Sequence, residues 1–305
     1  MAAIKREKKQ KSKAATSRKG PEIKTARRAG FCFGVKRALD ITFDIAGKDT
    51  RGVFTLGPII HNPQVIEKLR EKGILSIEPD DIGRKKIRDL IIRTHGIPRE
   101  LYDNISAGGY RVIDATCPFV KKAQHYAKLL KENGYQVVIL GDRDHPEVRG
   151  LMSYAGDDVI VVSEHSPLEG LRSKVGLVVQ TTQSVEALKK VLSRIIEKAK
   201  EVKVYNTICN STALRLKETE DMARKADVMI VVGGKNSANT TQLANLCKGL
   251  SVETHHIETA AEIRDEWLEG ARQVGITAGA STPDWLIREV EKRIRDRGGK
   301  SGNGY

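Results

Sequence analysis

Tyr110-Arg-Val-Ile-Asp-Ala-Thr-Cys117-Pro118 reads as a short apolar strand that ends on a cysteine, with a helix opening directly behind it. The same arrangement occurs at Glu22-Ile-Lys-Thr-Ala-Arg-Arg-Ala-Gly-Phe-Cys32 and at Val202-Lys-Val-Tyr-Asn-Thr-Ile-Cys209. Cys32 and Cys117 are 85 residues apart, Cys117 and Cys209 are 92 apart, and spacings this similar mark one supersecondary unit used three times.

Working outward, each cysteine-led helix is followed by an apolar run with a polar end: Gly52-Val-Phe-Thr-Leu-Gly-Pro-Ile-Ile-His61, Gln136-Val-Val-Ile-Leu-Gly-Asp-Arg-Asp-His145 and Asp227-Val-Met-Ile-Val-Val-Gly-Gly-Lys-Asn236. Second helices are predicted near 64–72, 147–155 and 240–249. A third set of apolar runs closes on Arg93-Thr-His95-Gly, Gln180-Thr-Thr-Gln183 and Thr277-Ala-Gly-Ala-Ser281. The last helix, at about 283–297, lacks a following strand, and the unmatched segment 22–28 is its natural partner, which would close a ring. Short continuous apolar runs alternating with amphipathic helices indicate parallel βαβ units. The expected architecture is therefore α/β: three pseudo-repeated parallel-sheet units, at 21–117, 118–208 and 209–297, around a central site.

Ligands of parallel sheets sit beyond the carboxyl ends of the strands. The cysteines, histidines and Thr/Ser/Asn clusters all fall at those ends, so they should share one cleft. Three thiolates meeting on a pseudo-threefold axis would leave one vertex of a soft metal site open, which suits an iron–sulfur cluster. Zinc with a histidine as fourth ligand is the competing assignment, but structural zinc sites draw on local Cys-x-x-Cys pairs and the chain has none. Cys247, in mid-helix and off the repeat position, reads as a small buried hydrophobe.

His61, His95 and His145 at related positions point to a shared anion, because imidazole N–H groups donate to phosphate oxygens. Lys235-Asn236-Ser237-Ala238-Asn239-Thr240 forms a strand-to-helix turn whose free N–H groups would attract phosphate. It is not a Walker loop, since Met229 stands where the first glycine belongs. Ser281 belongs to a similar turn. Glu147, in Asp144-His-Pro-Glu147, is the carboxylate best placed for proton transfer beside such a site.

The net charge is +14, yet residues 1–28 alone hold eleven Lys or Arg against Glu7 and Glu22. The body is thus only mildly basic. Segments 1–20 and 298–305 read as disordered tails. A nucleic-acid-binding module is the rival function for the basic tail, but only 5% of residues are Phe, Trp or Tyr, so base stacking is poorly supported. No stretch approaches a membrane span, no secretory signal is visible, and unpaired cysteines argue against a secreted disulfide framework, which leaves the cytoplasm.

Taken in order, Gly30-Phe-Cys32-Phe-Gly-Val-Lys-Arg, Ile60-His-Asn-Pro63, Thr94-His-Gly96, Asp114-Ala-Thr-Cys-Pro118, His145-Pro-Glu-Val148, Gln180-Thr-Thr182, Cys209-Asn-Ser-Thr212, Gly234-Lys-Asn-Ser237 and Thr277-Ala-Gly-Ala-Ser281 resemble the motifs of the 4-hydroxy-3-methylbut-2-enyl diphosphate reductase family. The likeness runs from about Glu22 to Arg297. It implies an oxygen-sensitive [4Fe–4S] cluster on Cys32, Cys117 and Cys209, with the open iron taking the substrate hydroxyl. It implies Glu147 as proton donor, Thr181 near that hydroxyl, and His61, His95, His145, Ser237, Asn239 and Ser281 as substrate contacts. Ala238 stands where some members have a second serine, which leaves the backbone N–H there but removes a hydroxyl. The implied reaction is a two-electron, two-proton reductive dehydroxylation to isopentenyl and dimethylallyl diphosphate, with ferredoxin or flavodoxin as electron donor.

Overall fold

The computed structural model describes residues 20–47 and 50–298, so the tails expected to be disordered, 1–20 and 298–305, lie almost wholly outside the described residues. The chain opens with a short strand, β1 (Glu22–Thr25), and a helix, α1 (Phe33–Ala46). The first sheet then takes β2 (Val53–Leu56), β3 (Leu75–Ile77), β4 (Asp89–Ile92) and β5 (Arg111–Asp114), with α2 (Pro63–Glu71) and α3 (Arg99–Ala107) as crossovers. The second takes β6 (Gln136–Leu140), β7 (Ile160–Val162), β8 (Lys174–Val179) and β9 (Glu201–Tyr205), with α4 (Pro118–Glu132), α5 (Pro146–Ala155) and α6 (Val185–Ile196). The third takes β10 (Val228–Val232), β11 (Glu253–Ile257) and β12 (Gln273–Ala278), with α7 (Asn210–Ala223), α8 (Ala238–Gly249) and α9 (Asp284–Gly298).

The three sheets share one strand order: β3-β2-β4-β5, β7-β6-β8-β9 and, read in the same direction, β11-β10-β12-β1. Every pairing is parallel. The strand made first therefore fills, in the third sheet, the edge that β5 and β9 fill in the others, with Glu22 opposite Gln273 and Thr25 opposite Ile276. The predicted closure of the ring is present. Its strand is shorter than the expected 22–28, because after Ala26 bonds Ile276 the chain turns away and the N–H groups of Arg27 and Arg28 go to the Glu218 carboxylate instead.

Alternate residues of the inner strands pack on opposite faces. In the second sheet Val138, Leu140, Leu177 and Val179 meet the apolar side of α6, whereas Val137, Ile139 and Val178 meet α4 and α5. The third sheet repeats this, with Ile230, Val232 and Ile276 on α9 and Met229 and Val231 on α7 and α8. Inner strands covered on both faces explain the unbroken apolar runs of the sequence.

Each cysteine helix packs on a different sheet from the strand that precedes it. β5 belongs to the first sheet while α4 lies on the second, and α1, which follows β1 of the third sheet, packs on the first. Likewise β9 belongs to the second sheet and α7 to the third. The three cysteines thus sit where the chain crosses from one sheet to the next.

Candidate active site

Cys32, Cys117 and Cys209 are the N-caps of α1, α4 and α7, and none uses its side chain to cap. Their backbones are held in one repeated way. The N–H of Cys117 donates to the Thr94 carbonyl at 2.9 Å, that of Cys209 to Thr181 at 2.9 Å, and that of Cys32 to Ala280 at 3.1 Å. Each acceptor lies two residues past the end of β4, β8 or β12. The third strand-end cluster of every unit therefore sets the position of a cysteine.

All three thiols are free and partly buried, and they line one cavity. Burial pushes the Cys117 thiol up to about 11, against the N–H groups of Phe119 and Val120 that favour its thiolate. Burial also raises Cys209, opposed by the N–H groups of Ser211 and Thr212. These amides belong to first turns without any acidic residue, so the positive ends of the helices face the sulfurs uncompensated. A Cβ on Gly34 would stand 2.5 Å from the Cys117 sulfur, so the first turn of α1 fits against the second cysteine only as glycine.

Among the described residues, the trio with ligand atoms all within 4.8 Å of one another is His61, His95 and His145, not the cysteines. Three sulfurs on a single zinc would stand about 3.8 Å apart at the usual Zn–S length. A soft three-thiolate set spread more widely, with N–H donors to its sulfurs, fits a polynuclear iron–sulfur cluster better than one ion.

His61 precedes the Asn62 cap of α2, His95 follows β4, and His145 caps α5. Their ring centroids are 4.7, 5.2 and 6.0 Å apart. Burial lowers the pKa of all three: His145 falls to about 4 and His95 lies well below its usual range. The rings are therefore neutral near pH 7. Nδ1 of His145 accepts the Glu147 N–H at 3.2 Å, which leaves the proton of the neutral ring on Nε2. Such a ring donates to an anion and has no free lone pair for a metal.

Glu147 is 1% exposed. Its Oε1 accepts the Thr181 N–H at 2.7 Å and its Oε2 the Thr181 hydroxyl at 2.9 Å. Burial outweighs both bonds and raises the carboxyl to about 7. At neutral pH this group can both hold and release a proton.

The third unit supplies Ser237, Ala238, Asn239 and Ser281 to the same cavity. Ser237 caps α8 in position, but its hydroxyl leaves the helix amides alone and lies 3.5 Å from the Ser281 hydroxyl. Ser281 also donates to the His61 carbonyl at 3.2 Å and so ties the third unit to the first. The amides of the α8 first turn thus stay open, and no acidic residue stands among them. Lys235 turns away to an ion pair with Glu262. Cys247 is fully buried on the inner side of α8, away from the cavity.

Every residue singled out for the site by sequence reaches this one cavity, and so do residues the sequence did not disclose. Phe119 lines it as the neighbour of a named motif, and Thr94 and Thr212, quoted within motifs but given no role there, line it as well. Arg215 lines it too, although six positions beyond Cys209 an arginine in a helix reads as a solvated charge. Only its burial distinguishes it.

The sequence profile of the family described as LytB protein matches residues 23–295. Curated relatives carry the name 4-hydroxy-3-methylbut-2-enyl diphosphate reductase. That of Pelobacter propionicus is 51% identical over 271 residues, covering 88% of this chain and 96% of its own. That of Geobacter metallireducens is 49% identical over 279 residues, 90% of this chain and 97% of its own. A solved structure of (E)-4-hydroxy-3-methyl-but-2-enyl diphosphate reductase, described as the terminal enzyme of the non-mevalonate pathway, is 43% identical with a TM-score of 0.69 over 90% of this chain and 99% of its own. The E-1-hydroxy-2-methyl-but-2-enyl-4-diphosphate reductase of Plasmodium falciparum is 25% identical with a TM-score of 0.82, over 90% of this chain and 87% of its own.

Proposed function

The chain belongs to the LytB protein family, and from that premise we propose that it is a 4-hydroxy-3-methylbut-2-enyl diphosphate reductase working with a [4Fe–4S] cluster on Cys32, Cys117 and Cys209. The observation that carries the reading is the meeting, in one cavity, of three thiols at helix N-termini, three neutral histidines and a buried carboxyl raised to about 7. The overall reaction removes the allylic hydroxyl as water, consumes two electrons and two protons, and yields isopentenyl or dimethylallyl diphosphate. A one-electron carrier such as ferredoxin or flavodoxin supplies the electrons. Among the described residues no helix is long and apolar enough to cross a membrane, and we assign the enzyme to the cytoplasm.

When bound, the cluster supplies the electrons and a Lewis-acidic iron for the substrate oxygen. The protein's own residues do the rest. His61, His95, His145, Ser237, Asn239 and Ser281, with the open amides of α8 at Ala238 and Asn239, bind the diphosphate through neutral donors. Binding energy taken there, remote from the C–O bond, orients the reacting end. Neutral donors also leave the phosphates fully charged, so the diphosphate is held without giving up protons to its site.

Thr181 stands at the junction of the two halves. Its N–H and hydroxyl hold Glu147, while its carbonyl holds the Cys209 N–H. Glu147 delivers a proton to the departing oxygen or to the reduced allyl carbon and recovers it between turnovers. Thr181 orients that carboxyl and gives the substrate hydroxyl a partner.

Anaerobic purification tests the reading. Iron and acid-labile sulfide near four each per chain, a visible charge-transfer band, and a spectrum changed by the allylic diphosphate are the expected results. A colourless protein with zinc alone would overturn it.

A further inference from the structure

Arg215 is a buried charge that the proposed reaction leaves unused. It lies in α7, is 4% exposed and faces the cavity. One terminal nitrogen of its guanidinium donates to the Ala278 carbonyl at 2.8 Å, at the end of β12, and the other to the Gly30 carbonyl at 2.9 Å, two residues before Cys32. Both acceptors are neutral. Among the described residues no carboxylate pairs with it, and Glu218, one turn away, is occupied by the N–H groups of Arg27 and Arg28. A cation buried without a carboxylate in direct contact is costly, and two carbonyls with the more distant Glu218 charge only partly offset that cost.

The partner it lacks is an anion belonging to the cavity. Two anions are expected there, the diphosphate and the thiolate-ligated cluster. Arg93 is the guanidinium that acts on His61, His95 and His145, beside the mutual effect of the rings themselves. Burial acts most strongly on Arg215, and the negative charges it senses are those of Cys32, Glu218 and Cys209. Its fork also joins the crossing that carries Cys32 to the helix that Cys209 opens.

We propose that Arg215 is a positioning residue for the cluster: its fork fixes the Cys32 crossing against α7, and its charge offsets the negative charge of the cluster so that an electron enters more readily. The proposal rests on the cluster assignment above and deepens it. With the three helix N-termini, Arg215 makes the surroundings of the thiolates electropositive. Removing the charge should make the reduced cluster less favourable while the thiolate ligands stay in place.

Two variants of the full chain, made anaerobically, test this. Arg215→Gln keeps amide donors for the carbonyls and loses the charge; Arg215→Lys keeps the charge and loses the fork. Iron and sulfide are counted, and the cluster is titrated against redox mediators by electron paramagnetic resonance. The expected result for Arg215→Gln is full iron with the ratio of reduced to oxidised cluster about tenfold lower at a fixed potential, which is 59 mV for a one-electron couple. Arg215→Lys should stay within threefold of the unsubstituted enzyme. Full iron and an unchanged ratio in Arg215→Gln would overturn the proposal, and so would a fall in Arg215→Lys as large as that in Arg215→Gln. If Arg215→Gln holds no iron, Arg215→Lys decides: an unchanged ratio supports the charge, a tenfold fall refutes it. Loss of iron from both variants, with the fold intact by circular dichroism, leaves Arg215 only a structural role and also overturns the proposal. An unsubstituted protein without iron would instead sink the cluster assignment itself.

Discussion

Thr181 binds both carboxylate oxygens of Glu147, with its N–H at 2.7 Å and its hydroxyl at 2.9 Å, and this pair fixes a pH limb. Glu147 titrates at about 7, above the ordinary 4.5, because burial disfavours its charged form more than the Thr181 bonds favour it. A proton donor is active while protonated, so kcat/KM should fall as pH rises through about 7. Thr181→Val removes one bond to the charged form and should move that limb to higher pH. A pH–rate profile unmoved by the substitution would show that Glu147 is not the group titrating. The same shift carries a stability sign. Between 4.5 and about 7 the native state binds more protons at Glu147 than the unfolded chain, so this contribution declines as pH rises through that window.

Glu147→Gln should keep the shape, the iron and the substrate affinity while kcat drops by roughly two orders of magnitude or more. The amide can still accept one Thr181 bond but carries no transferable proton. Steady-state kinetics with an artificial reductant check this, and the loss belongs in kcat rather than KM. Turnover near that of the unsubstituted enzyme would leave water or the substrate diphosphate as the proton source.

His145→Ala should first raise KM, since a neutral donor to the diphosphate is lost. It also removes the Nδ1 acceptor of the Glu147 N–H, so a smaller fall in kcat should accompany it. The variant should stay as brown as the unsubstituted enzyme.

Each of Cys32→Ser, Cys117→Ser and Cys209→Ser should lose its iron and its activity, because a cluster held by three thiolates does not survive on two. Cys247→Ser, buried on α8, should keep both. Iron counts on the four proteins decide, and a colourless Cys247→Ser beside a brown member of the other three would reverse the assignment.

Gly34→Ala separates the fold from the site. Alanine is a better helix former than glycine, so at this first-turn position α1 should be no less stable. The new methyl would lie 2.5 Å from the Cys117 sulfur, which cannot yield without moving the ligand. The expected variant is folded by circular dichroism yet depleted in iron. Full iron would show that the cysteine and the helix turn can separate at little cost.

Much of this was legible in the chain because a threefold repeat makes each unit a check on the others. The cysteine-ended strands, the second helices and the closing strand near residue 22 follow from apolar runs and spacing. α2 and α5 begin one residue earlier than expected because Pro63 and Pro146 are well suited to the first helical position. What could not be read is what distance in sequence conceals. The three carbonyls that hold the cysteine amides, at Thr94, Thr181 and Ala280, are backbone groups without a residue signature. The neutrality of the histidines comes from burial by elements far apart in the chain. Arg215 looks like any helix-surface cation until α7 is seen against β12.

The pairing of β1 with β12 also sets an order of events in time. A ribosome releases Glu22–Thr25 well before Gln273–Ala278, so β1 waits unpaired while the residues between them are made. Cys32 follows that strand, and its amide is anchored on Ala280, later still. Cys117 and Cys209 have their own anchors, Thr94 and Thr181, upstream of them and already made. On the proposed assignment, the three-thiolate site would be complete only once Ala280 has been made. Chains stopped before Gln273 should fold their first two sheets and take up no iron, although all three cysteines are present.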